Sequence, residues 1–164
     1  DINISVVKSG DKSIALKVSD AHSSVNYMLS DVSVINKPPQ LKEIPEFQLK
    51  IDVTPNFISK FISGKGALSE TDNFTVITDE NGTKLVIGYS TVNTNRVTIP
   101  VTTSESVNIE NVSFNANIFK EVLSANKECE SATFEVSDQG LSRITFKIDD
   151  YISTYYLVSV QDVD

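Results

Sequence analysis

Residues 54–62 (TPNFISKFI) and 115–123 (NANIFKEVL) carry the same pattern, with apolar pairs that recur in register 61 positions apart. In each stretch the apolar residues repeat at the spacing of one helix face, and a residue able to cap a helix comes first. Alternating segments that turn at a glycine follow each stretch, at Gly82 and at Gly140. A repeated unit of one helix and several strands predicts two half-domains that bury one face against each other.

The two copies predict a regular series of elements. The first copy reads as strand 47–53, helix 54–63 and strands 73–79, 83–90 and 95–101. The second reads as strand 110–114, helix 116–126 and strands 131–137, 141–149 and 152–160. Gly64 and Gly66 are predicted to end the first helix. The residues predicted to face the core are Phe57, Ile58, Phe61 and Ile62 on the first helix, and Ile118, Phe119, Val122 and Leu123 on the second.

The segment before the repeat contains no predicted helix. Residues 2–8, 13–19 and 23–31 alternate between apolar and polar side chains and predict an antiparallel three-strand meander. Residues 32–46 hold three of the five prolines of the chain, which favour an extended path. We therefore predict a partial domain over 1–31, a connecting loop over 32–46 and a second domain over 47–164.

Composition limits the possible function classes. The chain has 164 residues, a net charge of −8, one cysteine and one histidine. No apolar run approaches the ~18 residues of a membrane span, and no basic segment followed by an apolar stretch suggests a signal peptide, so we expect a cytoplasmic location. No acid, base, nucleophile or metal-ligand set converges in the pattern. We therefore expect no enzymatic activity, no catalytic residue, no metal and no cofactor.

The paired helices, the proline-rich loop and the closing strand 154–158 (TYYLV) with its short acidic tail resemble a known family, the ring-shaped DNA polymerase sliding clamps. Within this family, the chain resembles most the clamps of tailed bacteriophages and the eukaryotic and archaeal proliferating-cell clamps. The resemblance covers roughly residues 12–160. It implies an α+β DNA-clamp fold of two pseudo-symmetric βαβββ halves, preceded by the last three strands of another clamp domain. It also implies a processivity factor of DNA replication that forms a homotrimeric ring, in the host cytoplasm if the protein is viral.

The resemblance implies that the two helices line a hole around duplex DNA and touch phosphates weakly, without reading sequence. From the residues alone, surface lysines could equally be ordinary solvated side chains. The residues expected to face DNA are Asn56, Lys60, Lys65, Asn117, Lys120 and Lys127.

The resemblance also implies two protein-binding surfaces. A pocket between the connecting loop and the chain end would receive short hydrophobic peptides from the DNA polymerase and the clamp loader, although core and linker packing is the alternative reading. Its expected residues are Val34, Ile35, Pro38, Leu41, Tyr156, Leu157 and Val158. Two edge strands would pair between subunits, and their expected residues are Ser24, Val25, Asn26, Tyr27, Met28, Leu29 and Ser30 on one side and Arg96, Val97, Thr98, Ile99, Pro100 and Val101 on the other.

A different class of protein shares some of these features. Strand-rich, acidic chains with many Asn and Ser residues are common among β-rich structural or adhesion modules of phage virions and cell surfaces. Most such modules are all-β, so two amphipathic helices at matched positions favour the clamp.

Overall fold

The computed structural model describes residues 1–37, 43–92, 94–104 and 107–160. The chain forms two compact units, Asp1–Glu43 and Ile44–Asp164. Pro38 and Leu41, predicted to belong to a peptide pocket, lie outside the described residues. The assignment of the units to a partial clamp domain, a connecting loop and a complete clamp domain stays a prediction.

The first unit is a three-stranded antiparallel sheet followed by a single 3₁₀ turn at Val32–Val34. Its strands, in the spatial order β1-β2-β3, are β1 (Asn3–Ser9), β2 (Lys12–Ser19) and β3 (Ser24–Met28).

The strand register of this sheet gathers apolar side chains on one face. Opposite residues in a ladder point to the same side of a sheet, and Leu16 of β2 lies opposite Tyr27 of β3. Three further pairings extend the set, so that Ile4, Val6, Leu16, Val18, Val25 and Tyr27 share one face. All five residues of β3 are exposed.

The second unit contains the predicted repeat. Its first half consists of β4 (Leu49–Val53), α1 (Pro55–Ala67), β5 (Asn73–Asp79), β6 (Gly82–Ile87) and β7 (Val97–Val101). Its second half consists of β8 (Val112–Asn115), α2 (Ala116–Ala125), β9 (Ser131–Val136), β10 (Leu141–Ile148) and β11 (Tyr151–Val158). The prediction of two βαβββ halves is therefore confirmed.

The two halves exchange their first strands. One four-stranded antiparallel sheet has the order β11-β10-β9-β4 and the other has the order β7-β6-β5-β8. Each half thus supplies three strands to its own sheet and one strand to the sheet of the other half. This reciprocal exchange relates the two halves by a pseudo-twofold axis. The residue that follows β7 and the segment that follows β11 also form backbone hydrogen bonds with the exchanged strands. Asp52 N of β4 donates to Thr102 O (3.3 Å), and Val160 N donates to Ser113 O of β8 (2.9 Å).

A phenylalanine cluster holds the halves and helices together. Phe119 of α2 stacks on Phe74 of β5 with 4.8 Å between ring centroids, and lies 4.9 Å from the rings of Phe61 and Phe134. These four rings come from both halves and are fully buried. Burial of a phenylalanine stabilises a protein by roughly 1.5–3 kcal/mol, and aromatic pairing adds about 0.5–1.5 kcal/mol. The two halves therefore share one hydrophobic core.

Two details of the predicted helices are wrong. α1 does not stop at Gly64 but continues through Gly66 to Ala67. Gly64 lies inside the helix, where α1 passes so close to β7 that a Cβ at this position would require Val97 or the helix to shift. Ile118, predicted to face the core, is 56% exposed. The buried side of α2 is instead formed by Ala116, Phe119 and Leu123, a spacing of three and four residues that leaves Ile118 outside.

Candidate nucleic-acid and partner interfaces

The two helices lie side by side, as the repeat predicted. Phe57 and Phe61 of α1 both contact the ring of Phe119 on α2, with centroid separations of 6.5 and 4.9 Å. Each helix begins at a side-chain cap: Thr54 Oγ1 accepts from the N–H of Phe57 (3.2 Å), and Asn115 Oδ1 accepts from the N–H of Ile118 (2.9 Å). Equivalent caps therefore fix where both helices begin.

Lys60 occupies the exposed side of α1. It borders two pockets between α1 and β7, of about 320 and 470 Å³. Asp52 lines the smaller pocket together with Asn56, which is also exposed. A carboxylate and an ammonium group thus line the same pocket.

The prediction that Lys65 faces DNA is wrong. Lys65 is 3% exposed, and its Nζ donates to the carbonyl oxygens of Leu68 (3.3 Å) and Ser69 (2.9 Å). The ammonium group therefore satisfies carbonyls at the C-terminal end of α1, where the helix dipole favours a positive charge. The sequence carried a signal for this, since Lys65 is four residues after the buried Phe61 and falls on the same helix face.

The second helix is less basic than the first. Asn117 is exposed and donates from Nδ2 to Asp72 Oδ1 at 3.0 Å. Lys120 is half-buried and is followed by Glu121, whereas Lys127 is exposed but lies beyond the end of α2. The exposed Ile118 adds an apolar group to this surface. Of the four predicted lysines, Lys60 and Lys127 are exposed. The one lysine and the one glutamate of α2 balance each other in charge.

A second cluster lies on the outer face of the sheet that ends in β11. Arg143 of β10 is opposite both Glu135 of β9 and Tyr156 of β11. Its Nε donates to Glu135 Oε2 at 2.7 Å, and its guanidinium lies 4.7 Å from the ring centroid of Phe47. The bond to Glu135 raises the pKa of Arg143. Tyr156 is 38% exposed and lies on the protein surface beside Arg143, whose guanidinium is held in place by Glu135.

Sequence reasoning did not identify Phe47, Glu135 or Arg143 as part of this surface. Arg143 and Glu135 occupy outward-facing positions of strands with alternating apolar and polar residues. Charged residues are expected at such positions, so the sequence did not distinguish these two from other surface charges. Their juxtaposition depends on the register between β9 and β10.

Leu157 does not belong to the exposed surface, contrary to the prediction. It is 6% exposed and packs in the core, because alternation along β11 turns it inward while Tyr156 and Val158 point outward. In the first unit, Val34 and Ile35 are exposed at and after the 3₁₀ turn. Four of the predicted peptide-pocket residues are thus exposed within their own units.

The two strands predicted to pair between subunits are both sheet edges. β3 is the last strand of its sheet, and Leu29 and Ser30 follow it as exposed residues. β7 is the edge of its sheet, with Thr98 and Pro100 exposed and Arg96 lying just before the strand. Ile99 is 3% exposed and faces the core, so its side chain is not on the outer surface.

Other kinds of site were sought in the described part of the chain. Its residues include no group of three or more His, Cys, Asp or Glu side chains that could hold a metal ion. None of the helices described is long and apolar enough to cross a membrane. Cys129 is buried, which raises the pKa of its thiol and disfavours the reactive thiolate.

Comparison of the sequence with protein-family models and with curated proteins finds no match. Solved structures do match. A. fulgidus PCNA (proliferating cell nuclear antigen) bound to the C-terminal region of FEN-1 has a TM-score of 0.66 and 16% identity, over 98% of this chain and 65% of that chain. PCNA from Entamoeba histolytica has a TM-score of 0.65 and 16% identity, over 94% of this chain and 62% of that chain. The chain thus spans somewhat less than two thirds of those structures, and it has the fold of PCNA-type sliding clamps.

Proposed function

We propose that this chain acts as a sliding clamp, a non-enzymatic protein that helps to encircle duplex DNA and tethers a DNA polymerase. The observation that carries the proposal is the exchange of first strands between two βαβββ halves, with both helices on one side. Solved PCNA structures match the fold of the chain over 98% and 94% of its length. A β-rich structural or adhesion module has no comparable support, because α1 and α2 pack against each other in the core.

The surface chemistry supports weak, sequence-independent DNA contact. A clamp has to slide, so a few phosphate contacts suffice and base readout would hinder it. The helices present Lys60, Asn56 and Asn117, and Lys127 lies just beyond α2. A net charge of −8 would repel DNA from most of the surface and favour contact near exposed lysines such as Lys60.

A hydrophobic peptide of the polymerase or clamp loader is the second partner that we propose. Tyr156 is a half-exposed aromatic side chain next to the anchored guanidinium of Arg143, and Val158 follows it on the same outward side. Aromatic residues held in place by neighbours commonly carry the affinity of such interfaces. The PCNA of A. fulgidus was solved with the C-terminal region of FEN-1 bound, which supports a peptide-binding role in proteins of this fold.

Self-association into a ring is the third part of the proposal. β3 and β7 are both edges with unpaired backbone groups on one side, and such edges pair readily with another strand. Pairing of β3 of one copy with β7 of the next would extend both sheets across the contact. A repeated contact of this kind is head-to-tail and closes to a ring when its rotation permits, with three copies as the expected number.

Encirclement is tested without a loading protein by letting the chain thread onto a short duplex with a biotin at each end. Streptavidin is then added to block the ends, and the complex is washed at high salt. A ring stays on the blocked duplex and leaves an unblocked one, because retention is topological rather than electrostatic. Equal loss from both duplexes contradicts encirclement.

A further inference from the structure

The two halves of the second unit differ in one connection. Residues 88–96 connect β6 to β7, whereas the equivalent strands of the second half, β10 and β11, are joined by Asp149 and Asp150 alone. Two-residue connections are the common way to join antiparallel strands, and longer loops commonly carry function. The longer connection is therefore a feature that the repeated fold does not itself require.

The ends of this loop are held together. Thr94 Oγ1 donates to the carbonyl oxygen of Gly88 at 3.1 Å. Gly88 has a φ of +78°, and a Cβ there would lie 2.7 Å from the carbonyl oxygen of Asn95, so a residue with a side chain would be strained at this position. Tyr89 and Arg96, which adjoin Gly88 and Asn95 in sequence, line the same pocket.

That pocket has a volume of about 300 Å³ and an apolar floor. Val86 and Thr98, which line it, lie opposite each other in the ladder between β6 and β7, on the face turned away from the buried Leu85 and Ile99. Although Val86 is on this outer face, it is only 2% exposed. Ile77, half-buried, completes the floor.

Hydrogen bonds hold the polar walls of the pocket. The hydroxyl of Tyr89 accepts from Asn111 Nδ2 at 3.4 Å. Lys84 Nζ donates to Asp79 Oδ2, and Asp79 Oδ1 accepts from the N–H of Asn81 at 2.9 Å. Lys84 and Asp79 thus balance each other in charge.

Arg96 is the cation of this pocket whose charge is not balanced in the same way. It is exposed, and its Nη2 makes one long contact of 3.5 Å, to the carbonyl oxygen of Val92. The ion pairs found among the described residues do not include Arg96. The planar guanidinium group matches the geometry of a carboxylate.

We propose that this pocket binds a protein segment in which an apolar side chain adjoins a carboxylate. The apolar side chain lies on Val86 and Ile77 beside Tyr89, and the carboxylate accepts from Arg96. One uncompensated cation suits one carboxylate, whereas nucleic acid binding depends on neutralising several phosphates, and a net charge of −8 repels a polyanion. The site goes beyond the proposed function, since it requires neither a ring nor DNA and belongs to a different sheet from Tyr156.

NMR of the full chain tests the pocket with two capped dipeptides, acetyl-Phe-Asp-amide and acetyl-Phe-Asn-amide, which match in shape and differ in one charge. We expect the Phe-Asp peptide to shift the methyl signals of Ile77 and Val86 and the Nε signal of Arg96, and to do so saturably. The Phe-Asn peptide should bind about tenfold more weakly, because it cannot form a charge-assisted hydrogen bond with the guanidinium group.

Three variants assign the two parts of the contact. Arg96→Gln should weaken the Phe-Asp peptide by about tenfold and leave the Phe-Asn peptide unchanged, so that the two peptides bind alike. Tyr89→Ala should weaken both peptides. Lys8→Gln removes the same charge at an exposed position of β1, in the first unit, and should bind both peptides like the wild type.

The proposal is wrong if the methyl signals of Ile77 and Val86 show no saturable shift, if the wild type binds the two peptides equally, or if Lys8→Gln behaves like Arg96→Gln. Thymidine 5′-monophosphate, which joins a planar ring to a phosphate, tests the other class of ligand. Tighter binding of this nucleotide than of the Phe-Asp peptide would assign the pocket to nucleic acid and overturn the proposal. Peptide docking at Tyr156 and self-association are not affected by any of these results.

Discussion

Gly64 of α1 lies so close to Val97 of β7 that a Cβ at Gly64 would be 2.8 Å from Val97 Cγ1. The helix that carries Lys60 is therefore seated directly on the edge strand proposed to bind a second copy. The side of α1 proposed to face DNA and the edge proposed to bind a second copy therefore belong to elements in direct contact.

Substitution of Gly64 by alanine should destabilise the protein, because Val97 or the helix has to move. Overpacking of this kind typically lowers the free energy of unfolding by about 1–3 kcal/mol. Gly66→Ala is the matched control, since nothing lies within 4 Å of its Cβ position in the same helix. The control should stabilise by about 0.5–1 kcal/mol. Urea unfolding of the two variants measures both values, and equal effects would contradict the close contact.

Lys60 and Lys65 should behave as different kinds of residue. Lys60→Glu should weaken binding to a short duplex and reduce its salt dependence, with little effect on unfolding, because the side chain is exposed. Lys65→Met should instead lower stability by about 1–3 kcal/mol, since two carbonyls at the end of α1 lose their donor. Fluorescence anisotropy with labelled DNA and thermal unfolding separate the two effects. An unfolding loss confined to Lys60→Glu would contradict this assignment.

Tyr156 and Leu157 provide a similar contrast on β11. Tyr156→Ala should weaken binding of the cognate polymerase peptide while leaving unfolding nearly unchanged, because the ring is partly exposed. Leu157→Ala should lower the free energy of unfolding by about 2–5 kcal/mol, because it opens a cavity in the core. Calorimetric titration and urea unfolding measure the two. Wild-type peptide affinity in Tyr156→Ala would show that the proposed docking surface is misplaced.

The buried thiol of Cys129 gives a prediction for pH. Burial raises its folded pKa, so the neutral thiol favours the folded state below the ordinary thiol pKa of the unfolded chain. That contribution is lost as the pH rises through the raised folded pKa, on the alkaline side. Iodoacetamide should accordingly react slowly with the native protein near neutral pH and quickly after unfolding in urea. Equally fast reaction in both states would show that Cys129 is accessible.

Local patterns in the sequence were sufficient for the elements and the repeat. Apolar spacing located α1 and α2, and alternation with a glycine turn located β5, β6, β9 and β10, because these signals reside in neighbouring residues. The strand of TYYLV at residues 154–158 and the proline-rich loop then supported the resemblance to sliding clamps.

Tertiary structure decided the features that depend on distant residues. In the folded protein α1 packs on β7 and continues past Gly64. Lys65 is buried there and donates to carbonyl oxygens at the end of the helix. The position of α2 leaves Ile118 exposed. The register of β9, β10 and β11 brought Glu135, Arg143 and Tyr156 into one row. A sequence determines which side of its own helix or strand a residue occupies, whereas what lies opposite that side depends on which elements the whole fold brings together.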